Sequence, residues 1–386
     1  MYTPGKNILN LNIMGWCLYV AFLLLVAIYS YHKPACNWDM LPYMAIVLQY
    51  DYSKKNIHDE VYRTAAEEIP AAYYMRLTDS SHICRFKAFN NKAFFNSQLP
   101  FYVVKPLYTF LVYCFYKLGI PLTKSTVIVS VIAWFVLSLM LLFWLRQSLE
   151  GIAPFLLSAL TAASVPLLEA VGLSTPDALS ALCMTAAVYG LLNKKNRMFI
   201  AVLFLLAMLT RLDNMLPVLV FITAFTFYKP IKQFYFYFML VMVGLIAAVY
   251  CLVTYQSLSY GWGFWYYPDF INHLHDAVGE QRAFHFSSYF ELMKSQLING
   301  LKNSSVWVFL LLMVLHFCKQ GKFHFDAGNE GHIMLVLFLL VIALRFLLQP
   351  VIADRFYIPY YIPALVIFVR GNRRTENEIM VNTISR

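Results

Sequence analysis

Three stretches of this chain, Trp16–Tyr31, Val127–Leu145 and Phe234–Val253, contain no charged residue at all. Each approaches or reaches the roughly 20 apolar residues that cross a hydrocarbon core of about 30 Å. Inside lipid the backbone must satisfy its own hydrogen bonds, and a single continuous segment does so only as a helix. The rest of the chain is of the same kind: 60% of its residues are hydrophobic and 13% are charged, against about a quarter charged in a soluble domain. A soluble globular protein is excluded. The first run is too long for a removable signal peptide, and it lacks the basic flank and small-residue cleavage site of one. It reads as the first span.

The fold class expected is an all-α polytopic membrane protein with about ten transmembrane helices, and with interfacial helices in its first extracytoplasmic loop. The spans fall near 12–31, 125–146, 152–169, 177–193, 197–212, 214–228, 233–254, 304–318, 332–349 and 356–370. Basic residues gather in short connections: Arg146; Lys194, Lys195 and Arg197; Lys229 and Lys232; Lys319 and Lys322; Arg370, Arg373 and Arg374. Positive charge in short loops marks the cytoplasmic face, and these spans put every such group on one face with both termini. The net charge of +10 therefore reads as topology and contact with anionic lipid, with no nucleic-acid partner.

Residues 1–370 are expected to form a single transmembrane domain, followed by a short cytoplasmic tail, 371–386. Two large segments, 32–124 and 255–303, lie outside the membrane in this scheme. The first holds a helical stretch near Asn56–Met75 and the apolar segment Phe101–Leu118. Lys105 and Pro106 at the start of that segment and Lys117 at its end suit a helix lying in the interface. Cys36 and Cys84 share this loop, and the sequence leaves their pairing open. The second segment is rich in aromatics, including Trp262, Trp265, Tyr266 and Tyr267, residues that favour a membrane–water boundary and read first as interface anchors. His273 and His275 stand there beside Asp269 and Asp276. Positions i and i+2 do not share a helix face, so that spacing argues against a metal site on a helix.

Ionisable residues at membrane depth are costly and mark function by default. Here they collect on one side: Asp39 after the first span, Asp177 opening the fourth, Arg211 and Asp213 between the fifth and sixth, Arg345 near the end of the ninth, Asp354 and Arg355 before the tenth. Each has a plain structural reading. Arg211 and Asp213 pair at a turn; Asp177 is an acid in a helix's first turn; Asp354 and Arg355 are interfacial; Asp39 is a turn residue. Their co-location is the stronger observation. Guanidinium forks match phosphate oxygens, and neighbouring carboxylates serve as a base or hold a metal.

The order of these pieces resembles the GT-C superfamily of polyprenyl-phosphate-sugar-dependent glycosyltransferases, above all the protein O-mannosyltransferase and aminoarabinose (lipid A) transferase families. Four elements carry the likeness: Asp39 and Tyr43 in WDMLPY after the first span, Lys105 in KPLYTFLVYCFYKLG, Asp177 in GLSTPDALSAL, and Arg355 and Tyr357 in DRFYIPYYIP. Many relatives have a second acid where this chain has Met40, and two prolines where it has Pro106 alone. The resemblance implies inverting transfer of a sugar from a polyprenyl-phosphate donor to a lipid, glycan or protein acceptor on the extracytoplasmic face. It makes Asp39 the general base. Lys105 and Arg355 are then the donor-phosphate groups, with Arg345 and Arg211 behind them, and Tyr43, Asp177, Asp213 and Tyr357 line the substrates. It leaves open a divalent cation on Asp39 and Asp177. With no extended lumenal domain, the expected location is a bacterial inner membrane with the site facing the periplasm. The rivals are a polysaccharide polymerase and a transporter or flippase of lipid-linked sugars. A transporter favours internal repeats and charges at the midplane, and the sequence shows neither.

Overall fold

The computed structural model describes residues 4–51, 56–257, 285–302, 304–319, 322–323 and 325–384. Trp262, Trp265, Tyr266, Tyr267, Asp269, His273, His275 and Asp276 lie outside the described residues. Helix α1 (Pro4–His32) leads into a layer of short helices: α2 (Met40–Gln49), α3 (Ile57–Glu68), α4 (Ala71–Thr78), α5 (Ile83–Asn90), α6 (Lys92–Gln98), α7 (Pro100–Val103) and α8 (Pro106–Lys117). A bundle follows, made of α9 (Leu122–Leu145), α10 (Ala153–Ala162), α11 (Val165–Gly172), α12 (Asp177–Leu192), α13 (Arg197–Thr210), α14 (Met215–Phe227), α15 (Phe236–Ser257), α16 (Phe286–Lys302), α17 (Val306–Phe317), α18 (Glu330–Leu348) and α19 (Ile358–Ile384). Among the described residues the sole β structure is a small antiparallel ladder pairing Cys318 with Phe323 and Lys319 with Lys322.

Four helical stretches, Asn12–His32, Leu122–Leu145, Phe236–Tyr255 and Glu330–Leu348, are long and apolar enough to cross a membrane; counting each of 3 bent helix pairs as one span raises the number to 7. Leu25, Leu160, Leu240 and Leu252 stand exposed on the bundle's outside, a surface suited to lipid rather than water. The chain is a multi-pass membrane protein.

The structure corrects several local expectations. The span expected at 152–169 is broken: α10 and α11 meet at 58°. Pro166 lacks the N–H that would continue the ladder, so it takes the first turn of a new helix after an extended Ser164. Pro70 likewise ends α3 and opens α4 within the stretch expected as one helix. Phe101–Leu118 is not one helix either, because α6 with α7 makes an angle of 107° with α8 at Val104–Lys105. Past Arg370, the expected tail continues as helix to Ile384.

Polar contacts divide the bundle's two ends. At one end Arg370 Nη2 donates to Gln147 Oε1 at 2.6 Å, Lys194 pairs with Glu330 at 2.9 Å, and the Tyr228 hydroxyl donates to the Ala327 carbonyl at 2.8 Å. These are the ends of α9, α12 and α14, the middle of α19 and the start of α18. The opposite ends of α12, α13, α18 and the start of α19 hold Asp177, Arg211, Arg345 and Arg355. The 16 residues of α12 separate the two ends by about 24 Å at 1.5 Å per residue.

Two apolar cores follow the same division, one within the bundle and one joining the layer α2–α8 to the outer part of α9. Glu68 clasps the start of α9, accepting from the Leu122 N–H at 3.2 Å and the Thr123 N–H at 2.8 Å. Lys124 Nζ in turn donates to the Tyr31 and His32 carbonyls at the end of α1. Both charges match the helix dipole they meet. In the layer, the Lys92 ammonium, with His58 beside it, holds the Asp59 carboxyl below the usual carboxylate range. Within the bundle α12 and α13 approach closely at Gly190, where an added Cβ would stand 2.9 Å from the Ile200 Cγ1. Ile200 is fully buried. Gly190→Val is expected to destabilise the protein by about 1–3 kcal/mol through overpacking, measured by thermal unfolding in detergent.

Candidate active site

Asp39 immediately precedes α2, its carboxylate making no capping hydrogen bond to the helix, and is half-buried. Its Oδ1 accepts from the Tyr102 hydroxyl at 2.8 Å, and its Oδ2 accepts from Asn37 Nδ2 at 3.1 Å. Asn37 Oδ1 accepts the Ser174 N–H at 2.9 Å, and Ser174 belongs to the short loop that ends at Asp177. That loop is pinned to α9 through Thr126 and Ser130: Thr126 Oγ1 meets Ser174 Oγ at 2.9 Å, and Ser130 Oγ is 2.9 Å from both the Leu173 and Thr175 carbonyls. A set of hydrogen bonds thus fixes Asp39 relative to the loop that carries Asp177, although Asn37 and Ser174 are 137 positions apart in the chain.

Lys105 precedes α8, where Pro106 supplies the first helical residue. Its ammonium donates to the Phe101 carbonyl at 3.2 Å and lies 4.7 Å from the Tyr102 ring centroid and 5.4 Å from that of Tyr43. Tyr43 is buried, edge-on to Tyr102 at 5.1 Å and to Tyr108 at 4.7 Å. No carboxylate among the described residues lies within ion-pair distance of Lys105. Lys105 is a cation held by aromatic faces, with hydrogen-bonding capacity to spare.

The arginines are differently engaged. Arg211 sends Nε and Nη2 to the two oxygens of Asp213, each at 3.0 Å, and Nη1 to Asp177. Arg345, at the end of α18, pairs with Asp213. Arg355, in the turn Asp354–Phe356, pairs through Nη1 with Glu169, and its Nε stands 2.8 Å from Asp177 Oδ2 without hydrogen-bond alignment. Thr175 Oγ1 donates to Asp177 at 3.0 Å. The result is an alternating chain, Arg345–Asp213–Arg211–Asp177–Arg355–Glu169. The Phe356 ring sits among its three guanidiniums, with centroid distances of 4.2 Å to Arg211, 4.8 Å to Arg345 and 5.2 Å to Arg355.

Among the described residues singled out in the sequence, Asp177, Arg211, Asp213, Arg345 and Arg355 form this chain, while Asp39, Tyr43 and Lys105 gather around Tyr102. The hydroxyl of buried Tyr357 donates to the Val351 carbonyl at 3.4 Å and makes no hydrogen bond to Asp39 or Lys105. Asp354 is structural: it accepts from Ser304 Oγ and the Ser305 N–H, both at 2.7 Å, at the start of α17. A divalent cation on Asp39 and Asp177 does not fit the donor set. Asp177 is already held between two guanidiniums and Thr175, and among the described residues no group of three His, Cys, Asp or Glu side chains is placed to hold a metal.

Sequence reasoning missed Glu169, Tyr102, Asn37 and Phe356. Glu169 alone carried a readable signal, as the single acid at the end of an otherwise apolar run. In comparisons with known proteins the chain matches no family model, no curated protein and no solved structure.

Proposed function

We propose that this protein is a membrane glycosyltransferase that moves a sugar, with inversion, from a polyprenyl-phosphate donor to an acceptor on the extracytoplasmic face. The observation that carries this reading is that an oriented, half-buried carboxylate, Asp39, and the Lys105 ammonium share one neighbour, Tyr102: its hydroxyl donates to Asp39 at 2.8 Å and its ring centroid lies 4.7 Å from Lys105 Nζ. Displacement at an anomeric carbon needs one base for the acceptor hydroxyl and one positive group for the departing phosphate. Asp39 takes the proton; Lys105 receives the phosphate, with Arg355 beside it. Arg211 and Arg345 hold the frame through Asp177 and Asp213, while Tyr43 lines the sugar side.

In this reading the shorter apolar helices, including Asp177–Leu192, Arg197–Thr210, Leu212–Phe227 and Ile358–Gly371, also cross the membrane, which gives about ten spans. They run antiparallel between the same two ends as α9 and α18, so a bilayer that covers the long helices covers them too. The basic end is cytoplasmic. The site then faces the outer leaflet, where lipid-linked phosphates present their headgroups; in a bacterial inner membrane that side is the periplasm.

The test is transfer by purified protein in lipid, offered polyprenyl-phosphate sugars and membrane acceptors. Transfer of a single sugar supports the proposal. Joining of lipid-diphosphate oligosaccharides instead identifies a polymerase, and donor movement across the bilayer without transfer identifies a transporter. Within the proposal, Lys105→Gln removes a charge-assisted bond to phosphate worth about 1.5–3 kcal/mol. Donor binding is expected to weaken about 10- to 100-fold, read as a rise in donor KM with the unfolding temperature unchanged.

A further inference from the structure

The ion-pair chain has unequal ends. Arg345 is buried, its side chain 5% exposed, whereas Glu169 at the other end is 40% exposed. Between them Asp177 is 2% exposed and Arg355 23%. Arg355 is therefore held by two acids of different character: Asp177 stands at the root of the guanidinium from inside, and Glu169 occupies an outer nitrogen from the solvent side. Without Glu169, three guanidiniums (Arg211, Arg345, Arg355) face two carboxylates (Asp177, Asp213). The buried set then carries one excess positive charge.

We infer that Glu169 is a displaceable latch on Arg355, occupying the guanidinium until a phosphate oxyanion takes its place. The inference rests on the reading of Arg355 as a donor-phosphate group. Carboxylate and phosphate oxygens accept from the same guanidinium fork, so one replaces the other without moving Arg355. A phosphodiester brings a single negative charge and restores neutrality to the buried set when Glu169 leaves. Release costs little, because a partly exposed ion pair contributes little to stability; release of buried Asp177 would strand a charge. Helix α11 packs on α1, α9, α12 and the Asp354–Phe356 turn, so the latch opens by rotation of the Glu169 side chain. Glu169 is a positioning residue: it keeps Arg355 oriented in the empty site and sets how tightly an anion must bind to enter.

The experiment measures binding of a short-chain prenyl methyl phosphate, a monoanionic diester, to the full-length protein in neutral-lipid nanodiscs, with inorganic phosphate as a second probe. Glu169→Gln removes the competing charge and is expected to bind the diester about 3- to 5-fold more tightly than the parent, in line with an exposed pair. Glu169→Asp should return affinity toward the parent. Arg355→Gln combined with Glu169→Gln should lose the gain. Equal or weaker binding by Glu169→Gln, in a protein that unfolds at the parent's temperature, overturns the latch. The phosphate reading survives that result if the parent binds and Lys105→Gln does not. Absence of binding by the parent and by Glu169→Gln overturns both together. A gain for inorganic phosphate equal to that for the diester keeps the latch and removes the lipid-linked part of the reading.

Discussion

Asp39→Asn is expected to reduce sugar transfer by about 10²- to 10⁴-fold, the range for loss of a positioned general base, in a protein that still folds. The substitution is nearly isosteric and keeps an oxygen to accept from the Tyr102 hydroxyl. Its amide nitrogen, however, meets the Asn37 Nδ2, which donates to Asp39 Oδ2 in the parent. Asn37 cannot turn its own amide over to relieve this, because its Oδ1 holds the Ser174 N–H. One hydrogen bond is lost, at a cost of about 1 kcal/mol, too little to unfold the bundle. Activity and stability therefore separate cleanly at this position. Rates measured beside thermal unfolding decide the matter: a folded variant with undiminished transfer removes Asp39 as the base and leaves the phosphate side of the site standing. Asp39→Glu supplies a further check, since it keeps the charge while moving the carboxylate out of the grip of Tyr102 and Asn37. Partial activity is expected from it.

The features legible in sequence were those set by local physics. Charge-free runs as long as Val127–Leu145 have few alternatives to a helix in lipid, and α9 covers that run. The gathering of Asp39, Asp177, Arg211, Asp213, Arg345 and Arg355 toward one end was also readable, because in an antiparallel bundle alternate connections share one end, whereas Lys105 entered the site only through the resemblance. Their partner choice was not. Arg211 and Asp213, two residues apart, do pair as a local reading expects, but the same Asp213 also takes Arg345 from 132 positions away. Nothing in the spacing of the chain announces that second contact. Tyr102 escaped notice for a similar reason: in so aromatic a chain, one tyrosine hydroxyl aimed at Asp39 looks like any interface anchor. The kinks at Pro70, Pro106 and Pro166 were written in the sequence, yet at Pro166 hydropathy averaged over a window reads through the break. Glu169 stood out there as a lone acid, but its partner did not, because the break turns α11 so that the carboxylate reaches Arg355.

The largest loss of stability is expected from Asp213→Ala. Asp213 joins two arginines, with both oxygens on Arg211 and one shared with Arg345. Removing it leaves Arg211 its bond to Asp177, so that guanidinium remains paired. Arg345 has no such reserve: Asp213 is the one carboxylate within ion-pair distance of it among the described residues. An arginine so deeply buried, left without its acid, destabilises a protein by about 3–5 kcal/mol. Arg345→Leu should be much milder, since Asp213 keeps Arg211 and no charge is stranded. Combining the two changes should then recover most of the loss seen in Asp213→Ala, a coupling that only an uncompensated Arg345 produces. Unfolding of all three variants in one detergent tests this. If Asp213→Ala unfolds like the parent, the ion-pair chain does not hold the bundle together, and the arginines are free to be assigned to phosphate instead. If the double variant is as unstable as Asp213→Ala alone, the loss comes from the Leu212–Asn214 turn and not from the stranded charge.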